Sequence, residues 1–232
     1  MKITMYKYDP AVDAKPYYVT GEVEYTDKMT LLECIIAFRE NVQDVAFDYS
    51  CHGRMCGRCS VTLDGVPALA CSTPITDADH TIEPLKGQTI IRDLIVDKSD
   101  YQEKLAEQYY RVRTEPVNAD TLQMPSGEVG NRLYEMVMCM RCGMCDAACP
   151  ILAQKPGEFA GPASLYATAF RHVDPYDQAD RVVEAVSKGL YHCIQCGMCD
   201  NVCQRFELKH LDAWKMLREA AEERGLKPSY AK

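Results

Sequence analysis

The apolar positions divide the chain into two regimes. Lys2 to Tyr8 and Tyr17 to Tyr25 are rich in β-branched and aromatic residues, and the second stretch ends in polar/apolar alternation, so both predict strands. Thr30-Leu31-Leu32-Glu33 is a capping-box pattern, and Ile35, Ile36 and Phe38 behind it share a helical face. Ser60–Leu63 and Val66–Ala70 flank Asp64-Gly65, a strong hairpin signal. A short strand is expected from Thr81 to Glu83, before Pro84. This order predicts a small mixed sheet crossed by one helix.

After about residue 100 the period becomes helical. Tyr101 to Val112 predicts a helix, and Pro116, Pro125, Gly127 and Gly130 then predict an irregular connection. Leu133–Met138 leads on, Ala163–Phe170 and Asp177–Lys188 are expected to be helical, and Leu211–Arg224 stops at Gly225 with Pro228 beyond. The expected class is α+β, with residues 1–100 forming one domain and 101–232 a second, helical one.

With 232 residues, 47% of them apolar and 26% charged, the chain is a folded globular protein rather than a disordered one. A net charge of −8 argues against nucleic acid or an anionic membrane surface as a partner. No run reaches the roughly 18 apolar residues of a spanning helix; Leu31–Phe38 is broken by Glu33. The opening Met1–Tyr8 reads as neither signal nor transit peptide, so a reducing cytoplasm is expected, where clustered thiols point to metal.

Thirteen cysteines form three groups and a remainder. Cys51, Cys56, Cys59 and Cys71 are spaced C-x4-C-x2-C followed by eleven residues, the pattern of plant-type 2Fe-2S loops. Gly53 and Gly57 are expected to supply the tight backbone, and Cys71 to reach in from the far side of the Asp64-Gly65 hairpin. Cys139, Cys142, Cys145 and Cys149, and again Cys193, Cys196, Cys199 and Cys203, are spaced C-x2-C-x2-C-x3-C and share the run Cys-Gly-Met-Cys-Asp. In paired bacterial-type 4Fe-4S loops the fourth cysteine serves the other cluster. Cys139, Cys142, Cys145 and Cys203 would then hold one cluster and Cys193, Cys196, Cys199 and Cys149 the other. Structural zinc is the alternative use of these thiols.

Three clusters on one chain make an electron relay, and the sequence carries no nucleotide fingerprint, catalytic triad or paired-carboxylate signature. Cys34 is expected to pack as a small hydrophobe and Trp214 as a core or interface anchor. His192, beside Cys193, could tune a cluster or merely adjoin it.

The chain resembles the iron–sulfur subunits of succinate dehydrogenases and fumarate reductases nearly end to end. The resemblance is carried by Tyr6-Lys7-Tyr8-Asp9-Pro10, Ser50-Cys51 through Cys59, Ile82-Glu83-Pro84-Leu85, Ile91-Arg92-Asp93-Leu94-Ile95-Val96-Asp97, Leu122-Gln123-Met124-Pro125, Cys139–Pro150 and Phe159-Ala160-Gly161-Pro162-Ala163. It implies a β-grasp 2Fe-2S ferredoxin domain over 1–100 and an α-helical ferredoxin domain over 101–232. It also implies a flavoprotein partner that carries FAD and interconverts succinate and fumarate, with no substrate-converting residue on this chain. A membrane anchor that handles quinone usually completes the assembly, which would make the chain peripheral on the cytoplasmic face.

Two departures stand out. Family members usually lack the thiolate at the second cysteine of the last group and bind a 3Fe-4S cluster; Cys196 makes a second 4Fe-4S cluster the expectation, with 3Fe-4S the alternative. Where a tryptophan and a histidine usually lie near quinone, this chain has Gln154 and Ile194, and Cys203 is followed by Gln204 in place of proline. The electron exit partner is accordingly expected to be a membrane anchor, a cysteine-rich heterodisulfide-reductase-like subunit or another carrier. Rival readings are a flavoprotein partner acting on another unsaturated acid, a free-standing ferredoxin-like carrier, and a zinc-stabilised interaction module.

Overall fold

The computed structural model describes residues 1–116, 118, 125–155, 157–205 and 208–231. Leu122, Gln123 and Met124 of the family-like motifs lie outside the described residues. The chain divides into two compact units, Met1–Asp100 with Met140–Ala148, and Tyr101–Cys139 with Cys149–Lys232. No sequence pattern announces the return of Met140–Ala148 to the first unit.

The first unit is built on β1 (Lys2–Lys7), β2 (Tyr17–Glu22), α1 (Leu31–Asn41), β3 (Ser60–Leu63), β4 (Val66–Leu69) and β5 (His80–Glu83). Its five-stranded sheet runs β2-β1-β5-β3-β4, with β1 and β5 parallel and the other pairs antiparallel. The mixed sheet with one helix is the arrangement the pattern predicts. Thr30 accepts a hydrogen bond from the Glu33 N–H, and Glu33 accepts one from the Thr30 N–H, so both ends of the capping box are closed. From α1, Leu31, Leu32, Cys34, Ile35 and Phe38 are buried, and the sheet adds Ile3, Met5, Val61, Leu69 and Ile82. Cys34 thus packs in the core, while Ile36 is only half-buried.

A two-stranded hairpin, β6 (Thr89–Arg92) with β7 (Ile95–Asp97), is an element the apolar pattern misses. Its turn carries no glycine; Asp93 takes the left-handed conformation itself, at φ 49°.

The helices that follow are α2 (Ser99–Tyr109), α3 (Gly127–Val137), α4 (Met144–Ala147), α5 (Pro150–Gln154), α6 (Pro162–Val173), α7 (Arg181–Ser187), α8 (Met198–Val202) and α9 (His210–Glu223), with a short 3-10 turn at Leu190–His192. Of these, α4 belongs to the first unit. Gly127 and Gly130, expected in an irregular connection, lie inside α3. Gly127 opens the helix, while the interior Gly130 costs about 1 kcal/mol against alanine, which the packing of Leu133 and Met136 on the core of the second unit offsets. That core gathers Phe159, Leu165, Tyr166, Leu190, Trp214 and Leu217 from four segments. Trp214 is therefore a core anchor. No helix among the described residues is long and apolar enough to cross a membrane.

Candidate metal centres

The first cysteine loop turns on residues in left-handed conformations. His52 (φ 52°), Arg54 (φ 55°) and Gly57 (φ 66°) bend the backbone, whereas Gly53, expected to do so, has no positive φ. The bends aim the N–H groups of Gly53, Met55 and Cys56 at Cys51 Sγ, at 3.4, 3.3 and 3.3 Å. These hydrogen bonds, Gly53 first, pull the Cys51 thiol down to about 6, so it ionises below neutrality. Cys59 is 2% exposed, and burial pushes its thiol up to about 12, with Cys71 its hydrogen-bonding neighbour. Cys71 follows β4 after Ala70, on the far side of the hairpin from Cys59. A strand pair and a bent loop therefore bring together thiols with one electrostatically prepared anion among them.

Cys142 joins the same unit. A Cβ on Gly57 would lie 2.8 Å from Cys142 Cβ and 3.1 Å from the Met140 carbonyl oxygen, so only a glycine lets the loops meet. Ser60 Oγ donates to the Gly57 and Cys142 carbonyls at 3.2 and 3.0 Å. Lys98 Nζ donates to the same two carbonyls, at 3.2 and 3.3 Å, and to Ser60 Oγ at 2.7 Å. Burial lowers the Lys98 pKa, opposed by the thiols of Cys142, Cys59 and Cys56 and by Asp48. Nothing in the motifs points to Lys98; it becomes visible only through tertiary structure.

The repeated Cys-Gly-Met-Cys-Asp run is also a repeat of backbone. Arg141 and Gly143 are left-handed at φ 54° and 85°, and Gln195 and Gly197 match them at 55° and 76°. Gly143 and Gly197 then cap α4 and α8 in the same way. Cys142 and Cys145 belong to the first unit, and Cys139 and Cys203 to the second. Burial pushes Cys203 up to about 11, and Cys139 and Asp200 raise it further.

Cys149, Cys193, Cys196 and Cys199 line one cavity in the second unit, walled on its apolar side by Leu211 and Trp214. Leu152 N–H donates to Cys149 Sγ at 3.5 Å and Gln195 N–H to Cys193 Sγ at 3.4 Å. Asp200, beside Cys199, accepts from the His210 N–H and Nδ1 and from the Leu211 N–H, which fastens α8 to the start of α9. Cys199, Asp200 and His210 also bring their ligand atoms within 4.8 Å of one another, but the acid is already engaged by the histidine and two backbone amides. Arg218 donates to the Cys193 carbonyl at 2.6 Å. His192 stacks on Tyr230 at 5.0 Å and approaches Glu158. Ile194 is 62% exposed, and Gln154 is also exposed.

An all-thiol donor set on bent loops whose amides point at sulfur fits iron–sulfur clusters. Residues 2–103 match the 2Fe-2S iron-sulfur cluster binding domain family and residues 135–206 the 4Fe-4S dicluster domain family. The fumarate reductase iron-sulfur subunit of Haemophilus influenzae is 31% identical over 230 residues, covering 91% of this chain and 88% of that protein. The chain belongs to the family of succinate dehydrogenase and fumarate reductase iron–sulfur subunits. Like them it is an electron-transfer protein.

A solved chain in the Mycobacterium smegmatis Sdh1 complex in the apo form superposes with a TM-score of 0.83 at 27% identity, covering 98% of each chain. The likeness extends the family fold over both units. One of the subunits of the fumarate reductase (CoM/CoB) of Methanothermobacter marburgensis is 29% identical over 229 residues, covering 98% of this chain and 46% of that protein. The chain thus spans about half the length of that relative.

Proposed function

We propose that this chain relays single electrons between a FAD-containing flavoprotein that interconverts fumarate and succinate and a second redox partner. A bound iron–sulfur cluster accepts and releases electrons one at a time. Cys51, Cys56, Cys59 and Cys71 hold a 2Fe-2S cluster; Cys139, Cys142, Cys145 and Cys203 hold a 4Fe-4S cluster; Cys149, Cys193, Cys196 and Cys199 hold the third. The observation that carries this reading is the single cavity shared by those last four thiols, because Cys196 there offers a fourth thiolate and favours 4Fe-4S over 3Fe-4S. The protein backbone does the tuning: loop amides donate to sulfur and stabilise the anionic forms. Gln154 and Ile194 at the positions near quinone favour an exit partner of the heterodisulfide-reductase kind, with a membrane anchor as the other candidate. Through either partner the chain is peripheral to the cytoplasmic face of the membrane.

The test is purification of the complex under anaerobic conditions with analysis of flavin, iron and acid-labile sulfide. A co-purifying FAD protein and about ten iron atoms per chain are expected. Zinc with little sulfide, or a monomer fully active as a soluble carrier, overturns the proposal.

A further inference from the structure

The reduction potential of an iron–sulfur centre depends on the charge around it, because reduction adds one negative charge to a group that is already anionic. A fixed cation nearby favours the reduced form. Lys98 is such a cation, and it is held rather than mobile. Its ammonium has three donors, and they reach a carbonyl on each of the two cysteine loops of the first unit, Gly57 and Cys142, and Ser60 Oγ at the start of β3. Ser60 bonds to the same two carbonyls and closes the network.

No carboxylate lies within ion-pairing distance of Lys98 among the described residues. The neighbouring Asp48 is bonded to Arg58 at 2.8 Å. A partly buried ammonium whose hydrogen-bond partners are all neutral is costly, and the sulfurs of Cys142, Cys59 and Cys56 together with Asp48 beside it offset that cost. Gly57 lies between Cys56 and Arg58, so the carbonyl that Lys98 grips is part of the 2Fe-2S loop itself.

We infer that Lys98 is a positioning residue that serves as the built-in counter-charge of the 2Fe-2S centre, raising its reduction potential while latching the Cys142 loop against it. The inference rests on the cluster reading proposed above. It adds a chemical role to a residue outside every cysteine motif.

The test is a potentiometric titration of the purified complex, following the reduced 2Fe-2S signal by electron paramagnetic resonance. Lys98→Met and Lys98→Gln are expected to shift the one-electron reduction equilibrium about tenfold toward the oxidised form, or about 59 mV lower. Lys98→Arg, which keeps the charge, is expected to stay near wild type. Neutral variants that carry full iron and keep the wild-type potential overturn the inference and leave the relay intact. If the neutral variants lose iron while Lys98→Arg retains it, the cation is needed to hold the anionic centre, which supports the inference. Loss of iron in Lys98→Arg as well means that the lysine serves by shape alone, and overturns it. A wild-type complex without iron and sulfide fails the relay reading instead, so the two failures are told apart.

Discussion

Lys7 Nζ lies 2.6 Å from Asp93 Oδ2, with both side chains almost fully buried. Asp93 also accepts from the Tyr8 and Ala46 N–H groups, and Lys7 also donates to the Asp44 carbonyl. The pair fastens β1 to the turn of the β6–β7 hairpin. Two stretches that carry the family resemblance, Tyr6–Pro10 and Ile91–Asp97, therefore meet at one ion pair. Lys7→Met would leave a buried carboxylate without its cation, at a cost of about 3–5 kcal/mol. Adding Asp93→Asn should recover part of that loss, and denaturant unfolding of the single and double variants checks both expectations.

Gly57→Ala would place a methyl group against Cys142 in a backbone conformation that alanine resists. A loss of about 1–3 kcal/mol is expected, together with weaker iron retention. Gly65→Ala is the control: it has φ 84° but open space around it, so it carries only the backbone strain. Equal stability of the two variants would show that the contact between the loops is unimportant.

Cys196 is exposed on the rim of its cavity. Cys196→Ser should convert the third cluster to a three-iron form, with the corresponding electron paramagnetic resonance signal and about one iron atom fewer per chain. A wild-type complex that already shows the three-iron signal when prepared without oxygen would mean that this thiol is not a ligand.

Trp214 is fully buried, with Tyr166 edge-on at 6.4 Å and His210 at 5.9 Å. Trp214→Ala removes a large side chain from the core of the second unit, and a cost of about 3–5 kcal/mol is expected. Trp214→Phe should cost clearly less, since it keeps an aromatic ring in place. Thermal unfolding monitored by circular dichroism distinguishes them.

Burial raises the Asp177 carboxyl, but the hydrogen bonds from Arg181 and the Val112 N–H outweigh it and hold the group below its ordinary value of 3.8. The folded carboxyl thus binds its proton less readily than the unfolded one. Its contribution is complete above the unfolded pKa and is lost as pH falls through the lower, folded value. Wild type should exceed Asp177→Asn in melting temperature near pH 7. The gap should narrow below about pH 4; a gap that widens in acid contradicts the assignment.

What was legible in the sequence was what is local in the chain. The Thr30–Glu33 box and the Asp64-Gly65 hairpin each lie within a dozen residues, and each reappears in the structure. The misses are non-local. The β6–β7 turn is left-handed at Asp93, a residue stabilised by Lys7 from the other end of the domain. Gly127 and Gly130 are helical because side chains elsewhere on α3 find a core. In the first cysteine loop the strained conformations fall on His52 and Arg54 rather than on Gly53, where backbone N–H bonds to Cys51 repay them. Lys98 has no sequence signal at all, since its three acceptors come from positions 57, 60 and 142.

The bare backbone of Gly57 against Cys142 has a consequence for speed as well as for shape. Electron tunnelling weakens steeply with the distance between donor and acceptor. At this crossing there is no side chain on the Gly57 side, and the Cys142 Cα and Cβ stand where a Cβ of residue 57 would touch them. If the proposed 2Fe-2S and 4Fe-4S centres sit on these two loops, a larger residue at position 57 would have to push the loops apart and so lengthen the jump between them.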